Sequence, residues 1–549
     1  MDNGRSYGTL ATMIFRHLFL ILLLGIASSV VAQTQPTELV PDKATLGQEP
    51  ATKLEERIAA LEEELEKQKH GKNIRVYQSI DGLGPAASQV YHATDGFTLG
   101  GYGEVNYNRF RSDRKTDQLD VLRFVLYSGY RFNDWIVLNT EIEYEHTGNA
   151  SSSVVTDVSQ NGSTVTTTKR DIQEGEVYVE FAYIDFKFYE ALQLKLGLNL
   201  VPVGLMNYMH EPTTFYSVDR PITETNVIPS TWRDVGAIVT GDFFDKRLTY
   251  RTGILDGPRG KNFSESSWIR GGRMRGSRAR AEDFAAVINV DTHPLDGLLV
   301  GSSFYKGYAG QDEVGPVTWK DRVTPATPPA SATNSLFTAY GATLKADTSA
   351  RVPVQIAEAH YLVDKGAFTT RGVIARGWLS DAGTRALNKQ ANKNIAKEVE
   401  GGYLEGGVNV LHFFNSPKKL VLFVRGEYVN TQRRTIERYP GGKEDLDDLI
   451  CANLGCLTTS QLTNGNRSLG IVAASDSGKE LYGVRGVPDR TQDRRIYTMG
   501  MAFYPHENIT LKLDYAMQFS KSDYHKDIEQ LNPSNNKIDQ VNFGLGFIF

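Results

Sequence analysis

Apolar and polar residues alternate with a period of two over long stretches of this chain, which is the pattern of half-buried β-strands. Leu192, Leu194, Leu196, Leu198 and Leu200 alternate with Gln193, Lys195, Gly197 and Asn199. Ile509, Leu511, Leu513, Tyr515, Met517 and Phe519 alternate in the same way with Thr510, Lys512, Asp514, Ala516 and Gln518. Between Trp135 and His146, Ile136, Leu138, Ile142 and Tyr144 oppose Asn139, Glu141, Glu143 and Glu145. Strands of soluble sandwiches average about five or six residues, whereas these run to about ten, the length that crosses a bilayer. The pattern begins at Gly96 and ends with Val541, Phe543, Leu545, Phe547 and Phe549 at the last residue of the chain. It predicts an all-β fold, a transmembrane antiparallel β-barrel over residues 96–549.

Strand number follows from the turns, because such barrels join strands by short periplasmic turns and longer outer loops. Seven short turn sequences occur, at Phe132–Trp135, Phe188–Ala191, Phe243–Lys246, His293–Gly297, Val363–Gly366, Phe414–Lys418 and Tyr504–Asn508. Eight polar stretches alternate with them, near residues 109–119, 147–173, 202–232, 256–282, 309–351, 379–400, 431–493 and 521–537. The count closes at 16 strands. Residues Leu336–Ala346 within the fifth loop are the one place where a further hairpin would make 18.

Ahead of the barrel the periodicity changes. Leu18–Val31 is an apolar run behind Arg16 and His17 that ends in small residues before Gln33, the layout of a secretory signal over residues 1–32. The run is too short to span a bilayer as a helix, which favours export over anchoring. A polar linker fills 33–50. Leu54, Ile58, Leu61 and Leu65 then recur at heptad spacing, so residues 51–70 read as a short coiled-coil helix. Two heptads are marginal in isolation and gain from several copies brought together, although a lone amphipathic helix on a spacer is the plainer alternative. Residues 71–95 read as a second linker.

Composition narrows the function classes. A mean hydropathy of -0.34, with 51 Gly, 26 Tyr and 25 Phe, excludes a bundle of transmembrane helices. The chain has 60 Lys and Arg against 65 Asp and Glu; without Asp2, Arg5 and Arg16 the balance is 58 to 64, a net charge of about -6, and no nucleic-acid partner is suggested. Cys451 and Cys456 lie five apart in a polar loop, a spacing that suits a local disulfide in an oxidising compartment better than a metal site. No nucleophile elbow or paired catalytic constellation occurs, and His210-Glu211 lacks the second histidine of a metalloprotease helix. No enzyme activity, cofactor or metal is therefore expected.

Leu200–Gly241, with Ile269–Ser277 and Asn133–His146, resembles the phosphate-selective porin O and P family, and the likeness extends over the barrel. It implies a trimeric porin of 16 strands, an N-terminal coiled coil in some members, and the terminal Phe549 as part of the signal read by the barrel assembly machinery. It also implies a third outer loop folded inward as the constriction. That loop and its edge carry His210, Glu211, Asp219, Arg220, Glu224, Arg233 and Asp234, which either set a transverse field or pair to pin the loop to the wall. The fourth loop is strongly basic: Arg259, Lys261, Arg270, Arg273, Arg275, Arg278 and Arg280 face a single Glu265. Such guanidinium groups suit anions at the pore mouth or lipopolysaccharide phosphates outside, or simply form a solvated loop face. Along the wall, Lys195, Arg425 and Lys512 alternate inward with Glu405, Glu427 and Asp514. The expected function is passive diffusion of small hydrophilic solutes or ions across the bacterial outer membrane, anions such as phosphate included. A barrel with a blocked lumen, acting as a surface adhesion or scaffold protein, is the alternative.

Overall fold

The computed structural model describes residues 79–111, 116–146, 175–315, 350–391, 393–436, 488–521 and 537–549, together with a small hairpin of Val158–Gln160 and Ser163–Val165. Cys451, Cys456, the signal and coiled-coil segments and Leu336–Ala346 lie outside the described residues.

The strands form one closed antiparallel ladder of 16. In chain order they are β1 (Gly96–Phe110), β2 (Gln118–Asn133), β3 (Ile136–Glu145), β4 (Glu176–Tyr189), β5 (Leu192–Leu200), β6 (Arg233–Phe243), β7 (Leu248–Asp256) and β8 (Phe284–Leu295). The second half comprises β9 (Leu298–Tyr308), β10 (Pro353–Lys365), β11 (Phe368–Leu379), β12 (Glu398–Asn409), β13 (Lys419–Arg434), β14 (Asp493–His506), β15 (Ile509–Ser520) and β16 (Lys537–Ile548). Each strand pairs with its sequence neighbours, and β16 closes on β1 through Tyr102↔Ile548 to Phe110↔Gln540. Closure satisfies every strand edge, the condition for a β-structure in lipid. All seven short turns fall where the pattern places them. The count is 16 rather than 18 because β9 pairs directly with β10 from Leu298↔Val363 to Tyr308↔Pro353, leaving no room in the wall for another hairpin.

The outer surface carries the apolar half of the alternation. Ile254, Ile288, Ile374, Leu404, Val424 and Met499 are exposed along mid-strand positions. Exposed aromatics gather at the short-turn end, among them Phe97, Phe132, Trp135, Phe188, Phe244, Phe368 and Phe414. A second set, Tyr144, Phe284, Tyr497 and Phe519, stands toward the long-loop end. An aliphatic band between aromatic girdles is the surface that a bilayer solvates.

Barrel closure depends on glycine in β1. The Phe549 main chain exchanges hydrogen bonds with Gly101, N to O at 2.9 Å and Gly101 N to Phe549 O at 2.8 Å. The Phe549 ring stacks on Phe124 with centroids 5.8 Å apart. A methyl at Gly101 would come within 2.2 Å of the Val125 carbonyl oxygen and 2.7 Å of the Phe549 ring. Gly101→Val is expected to cost about 1–3 kcal/mol through overpacking, seen as a lower temperature for loss of the fast-migrating folded band in heat-modifiability gels.

Part of the segment that reads as a linker is instead an element inside the barrel. Leu83, Ala86, Ala87, Val90 and Tyr91, the last two in the four-residue helix α1 (Gln89–His92), are buried against Tyr102, Val125, Tyr127, Phe181 and Tyr183 on the inner wall. The sequence gives little notice of this, because a few apolar residues scattered among Gly, Pro and Ala carry no period.

Candidate pore constriction

The third outer loop, residues 201–232, leaves β5 at Leu200 and returns to β6 at Arg233, two residues paired with each other in the ladder. Between them the chain enters the lumen. Val203, Leu205, Met206, Phe215, Val227, Ile228 and Trp232 are all buried, in one cluster with inward residues of the opposite wall such as Tyr305, Ile356, Val373, Tyr403 and Val429. Apolar residues in an outer loop of a pore have no lipid to face, so burying them requires the loop to fold back.

The wall charges hold it there. Asp514 accepts from Val218 N at 2.6 Å, and Glu427 accepts from Thr223 N at 2.5 Å. Arg425 donates to Ser217 Oγ at 2.5 Å, Lys512 to Ser217 O at 3.0 Å, and Arg371 to Thr214 O at 2.8 Å while also pairing with Glu405. Arg425 and Lys512 therefore face inward, as the alternation requires, but bind the loop: Lys512 holds its backbone, and Arg425 reaches Asp219 O at 3.3 Å as well as the Ser217 hydroxyl. Lys195 pairs with Asp81 of the inner segment at 3.2 Å.

The loop's own charges are mostly occupied as well. His210 Nε2 lies 3.2 Å from Glu141 Oε1. Glu211 accepts from Ala86 N and Ala87 N at 3.0 and 2.9 Å, tying the loop to the inner segment. Glu224 accepts from Met206 N and from the Tyr403 hydroxyl, both at 2.6 Å. Arg233 pairs with Glu180, and Asp234 accepts from Trp232 Nε1 at 2.8 Å. Burial pushes the Glu211 carboxyl up to about 7 against the opposing pull of the Ala86 and Ala87 N–H groups, and likewise pushes Glu224 up to about 7. Of the two roles the sequence leaves open, pinning accounts for these residues; Asp219 and Arg220 instead stand at the surface of the loop.

The fourth-loop cluster splits into three. Arg259 and Arg280 share Glu313, at 2.5 and 3.1 Å. Arg270 and Arg273 bend toward the lumen and donate to third-loop carbonyls: Arg270 to Thr225 O at 3.0 Å and to Ser230 O, Arg273 to Pro229 O at 2.9 Å and Thr231 O at 2.5 Å. Arg275 lies 3.6 Å from Glu176 at the rim, while Lys261 and Arg278 are exposed. Burial, then Arg220 and Arg275, lowers the Arg270 guanidinium to about 10; burial and the neighbouring Arg270 and Arg275 lower Arg273 as well.

The loop divides the lumen. On its outer side is a polar cavity of about 1240 Å³, floored by Ser217–Ile222 and lined by Arg220, Arg270, Arg273 and Arg275 together with carboxylates that include Glu104, Glu143, Glu145, Glu427 and Asp514. Among the described residues, Arg220, Arg270 and Arg273 have no carboxylate at ion-pair distance. On the short-turn side is a second cavity of about 500 Å³, lined by Asp81, Tyr208, Arg251, Asp291 and His360. The two share no lining residue; the third loop lines both, and residues 79–82 line the second.

No family model matches the chain. A protein of Aquifex aeolicus (strain VF5), named only as uncharacterized, is 26% identical over 462 residues and is aligned over 82% of each chain. Similar solved structures include the anion-selective porin from Comamonas acidovorans, 8% identical over 83% of this chain and 100% of that one with a TM-score of 0.42. They also include the outer membrane channel DcaP of Acinetobacter baumannii, 9% identical over 82% and 97% with a TM-score of 0.40. Salmonella typhi OmpF in complex with daunomycin is 12% identical over 84% and 99%, with a TM-score of 0.41. The fold class rests on the chain's own ladder: a closed antiparallel β-barrel of 16 strands with a loop folded into its lumen.

Proposed function

We propose that this protein is an outer-membrane porin in which solutes diffuse passively past the inward third loop, with a preference for small anions. The observation that carries the reading is the polar cavity of about 1240 Å³ inside a closed barrel, lined in part by Arg220, Arg270 and Arg273, which have no carboxylate at ion-pair distance among the described residues. A barrel of this size is wide enough for an aqueous channel, and fixed cations at a constriction raise the local anion concentration. Phosphate belongs to the class such groups take. The outer membrane as location is supported by the aliphatic band and aromatic girdles, with export by residues 1–32, assembly through Phe549 and trimerisation aided by residues 51–70 as parts of the same reading.

Single-channel recording in planar bilayers tests it. Open steps arriving in threes, with a reversal potential on the anion side of zero in a salt gradient, are expected. A silent bilayer favours the second reading, a scaffold or adhesion barrel, which the packing of the lumen by the third loop and residues 79–92 brings into view.

Acid should strengthen the preference. Asp219 is open to the cavity water, which moderates the effect, yet the surrounding barrel and then Asp514 and Glu104 push its carboxyl up to about 6. Protonation as pH falls through that value removes a negative charge from the vestibule floor. The anion-to-cation permeability ratio is therefore expected to rise between pH 8 and pH 5, and Asp219→Asn should flatten that dependence.

A further inference from the structure

We propose that Glu141 of β3, Glu180 of β4 and His210 of the third loop form a site for a first-row divalent cation in the lumen wall beneath the vestibule. One ligand atom from each lies within 4.8 Å of the others, and all three side chains are buried. A zinc-type ion needs such atoms at about 2.0–2.2 Å from itself, so shifts of about an ångström complete the set. Two carboxylates and one imidazole match that class of ion.

Neighbouring groups orient the three side chains. Thr231 Oγ1 donates to Glu180 Oε1 at 3.0 Å and Arg233 donates to the same oxygen, fixing a carboxylate that also lies against the carboxyl of Glu143. Glu141 Oε2 is buried and unpartnered. The His210 Nδ1–H donates to Asn207 O at 3.0 Å, the second-shell contact that fixes a ligating imidazole with its Nε2 lone pair outward. Nε2 meets Glu141 Oε1 at 3.2 Å, a contact that a protonated imidazole makes by donating to the carboxylate and that a cation held by both atoms would replace.

Two further observations stand apart from the trio. Tyr127 is paired with Glu141 in the β2–β3 register and faces inward by the same alternation. It is 3% exposed, and its hydroxyl has no hydrogen-bond partner. Its ring is held 6.0 Å from both Tyr102 and Phe181, with Tyr102 in turn 6.1 Å from the His210 ring. Its hydroxyl is thus an unpartnered buried oxygen on the inner wall, at the ladder position opposite Glu141. The carboxylates are densely placed: Arg123 serves Glu104 and Glu143 at 3.2 and 3.5 Å and Arg233 serves Glu180, while Glu141 has His210 as its ion-pair partner. The entry path for an ion is short, because Glu143, Thr231 and Arg233 line the vestibule.

The test uses the full-length folded chain in detergent, stripped with chelator and titrated with zinc by equilibrium dialysis and elemental analysis. One zinc per chain is expected. Glu141→Gln and Glu180→Gln, each shown to be folded by heat-modifiable migration, should weaken binding at least about tenfold. X-ray absorption of the wild-type complex should show one imidazole nitrogen among oxygen ligands. No retained zinc, zinc held equally well by both folded variants, or a first sphere without imidazole nitrogen would overturn the assignment, and the third reading applies even where a variant misfolds.

Discussion

Excising residues 203–230 and joining β5 to β6 with a short turn should raise single-channel conductance severalfold while the barrel still folds. The join is geometrically mild, since Leu200 and Arg233 already face each other across the ladder. Conductance rises because the excised loop, together with residues 79–92, is what fills the section between the two cavities. The barrel survives because its edges are closed by β16 on β1 and owe nothing to the loop. Stability falls nonetheless: Val203, Leu205, Met206, Phe215, Val227 and Ile228 are fully buried or nearly so, each worth about 1.5–3 kcal/mol when removed from water. Anchors such as Glu427 and Asp514, orphaned by the deletion, are solvated by the water that replaces the loop. Unchanged conductance in a folded deletion would show that the loop is not the constriction.

Replacing Arg220 and Arg275 together by Gln should shift the reversal potential in a salt gradient toward cations. Both guanidiniums line the vestibule. Among the described residues, Arg275 has a long pairing with Glu176 at 3.6 Å, and Arg220 donates to His210 O at 2.9 Å. A unit charge at about 5 Å in water is worth about 0.8 kcal/mol, so the pair alters the permeability ratio by a few-fold to about tenfold at low salt and less at high salt. Arg278→Gln and Lys261→Gln are the controls; neither residue lines the cavity, and neither should move the potential. Arg273 is unsuited to such a test because it satisfies the carbonyls of Pro229 and Thr231, and its loss leaves buried acceptors unpaired at about 1–3 kcal/mol. Reversing the charge at Arg273, Arg275 and Arg278 as a group would mix a structural contact, a rim charge and a solvent-exposed residue.

The candidate site was legible in the sequence only in part. His210, Glu211, Glu224, Arg233 and Asp234 stand out as charges crowded into the third loop and its junction with β6, and they do converge in the lumen. Their partners do not stand out: Glu141 and Glu180 read as ordinary polar positions of alternating strands, and Ala86 and Ala87 as linker. The basic fourth loop reads as one cluster because all its charges fall within a few turns of chain. In space they separate, since Glu313 takes two of them and third-loop carbonyls take two more.

The sequence by itself determined the wall of this protein. Period two, strand length and turn chemistry are local properties, and a strand buried in lipid on one face and polar on the other has one register that satisfies both. All seven short turns and the count of 16 strands follow from them. The interior was decided by the tertiary structure alone. Whether Lys512 or Arg425 meets water or a loop carbonyl depends on residues about 300 and 200 positions away, and only closure of the barrel brings such groups within hydrogen-bonding distance.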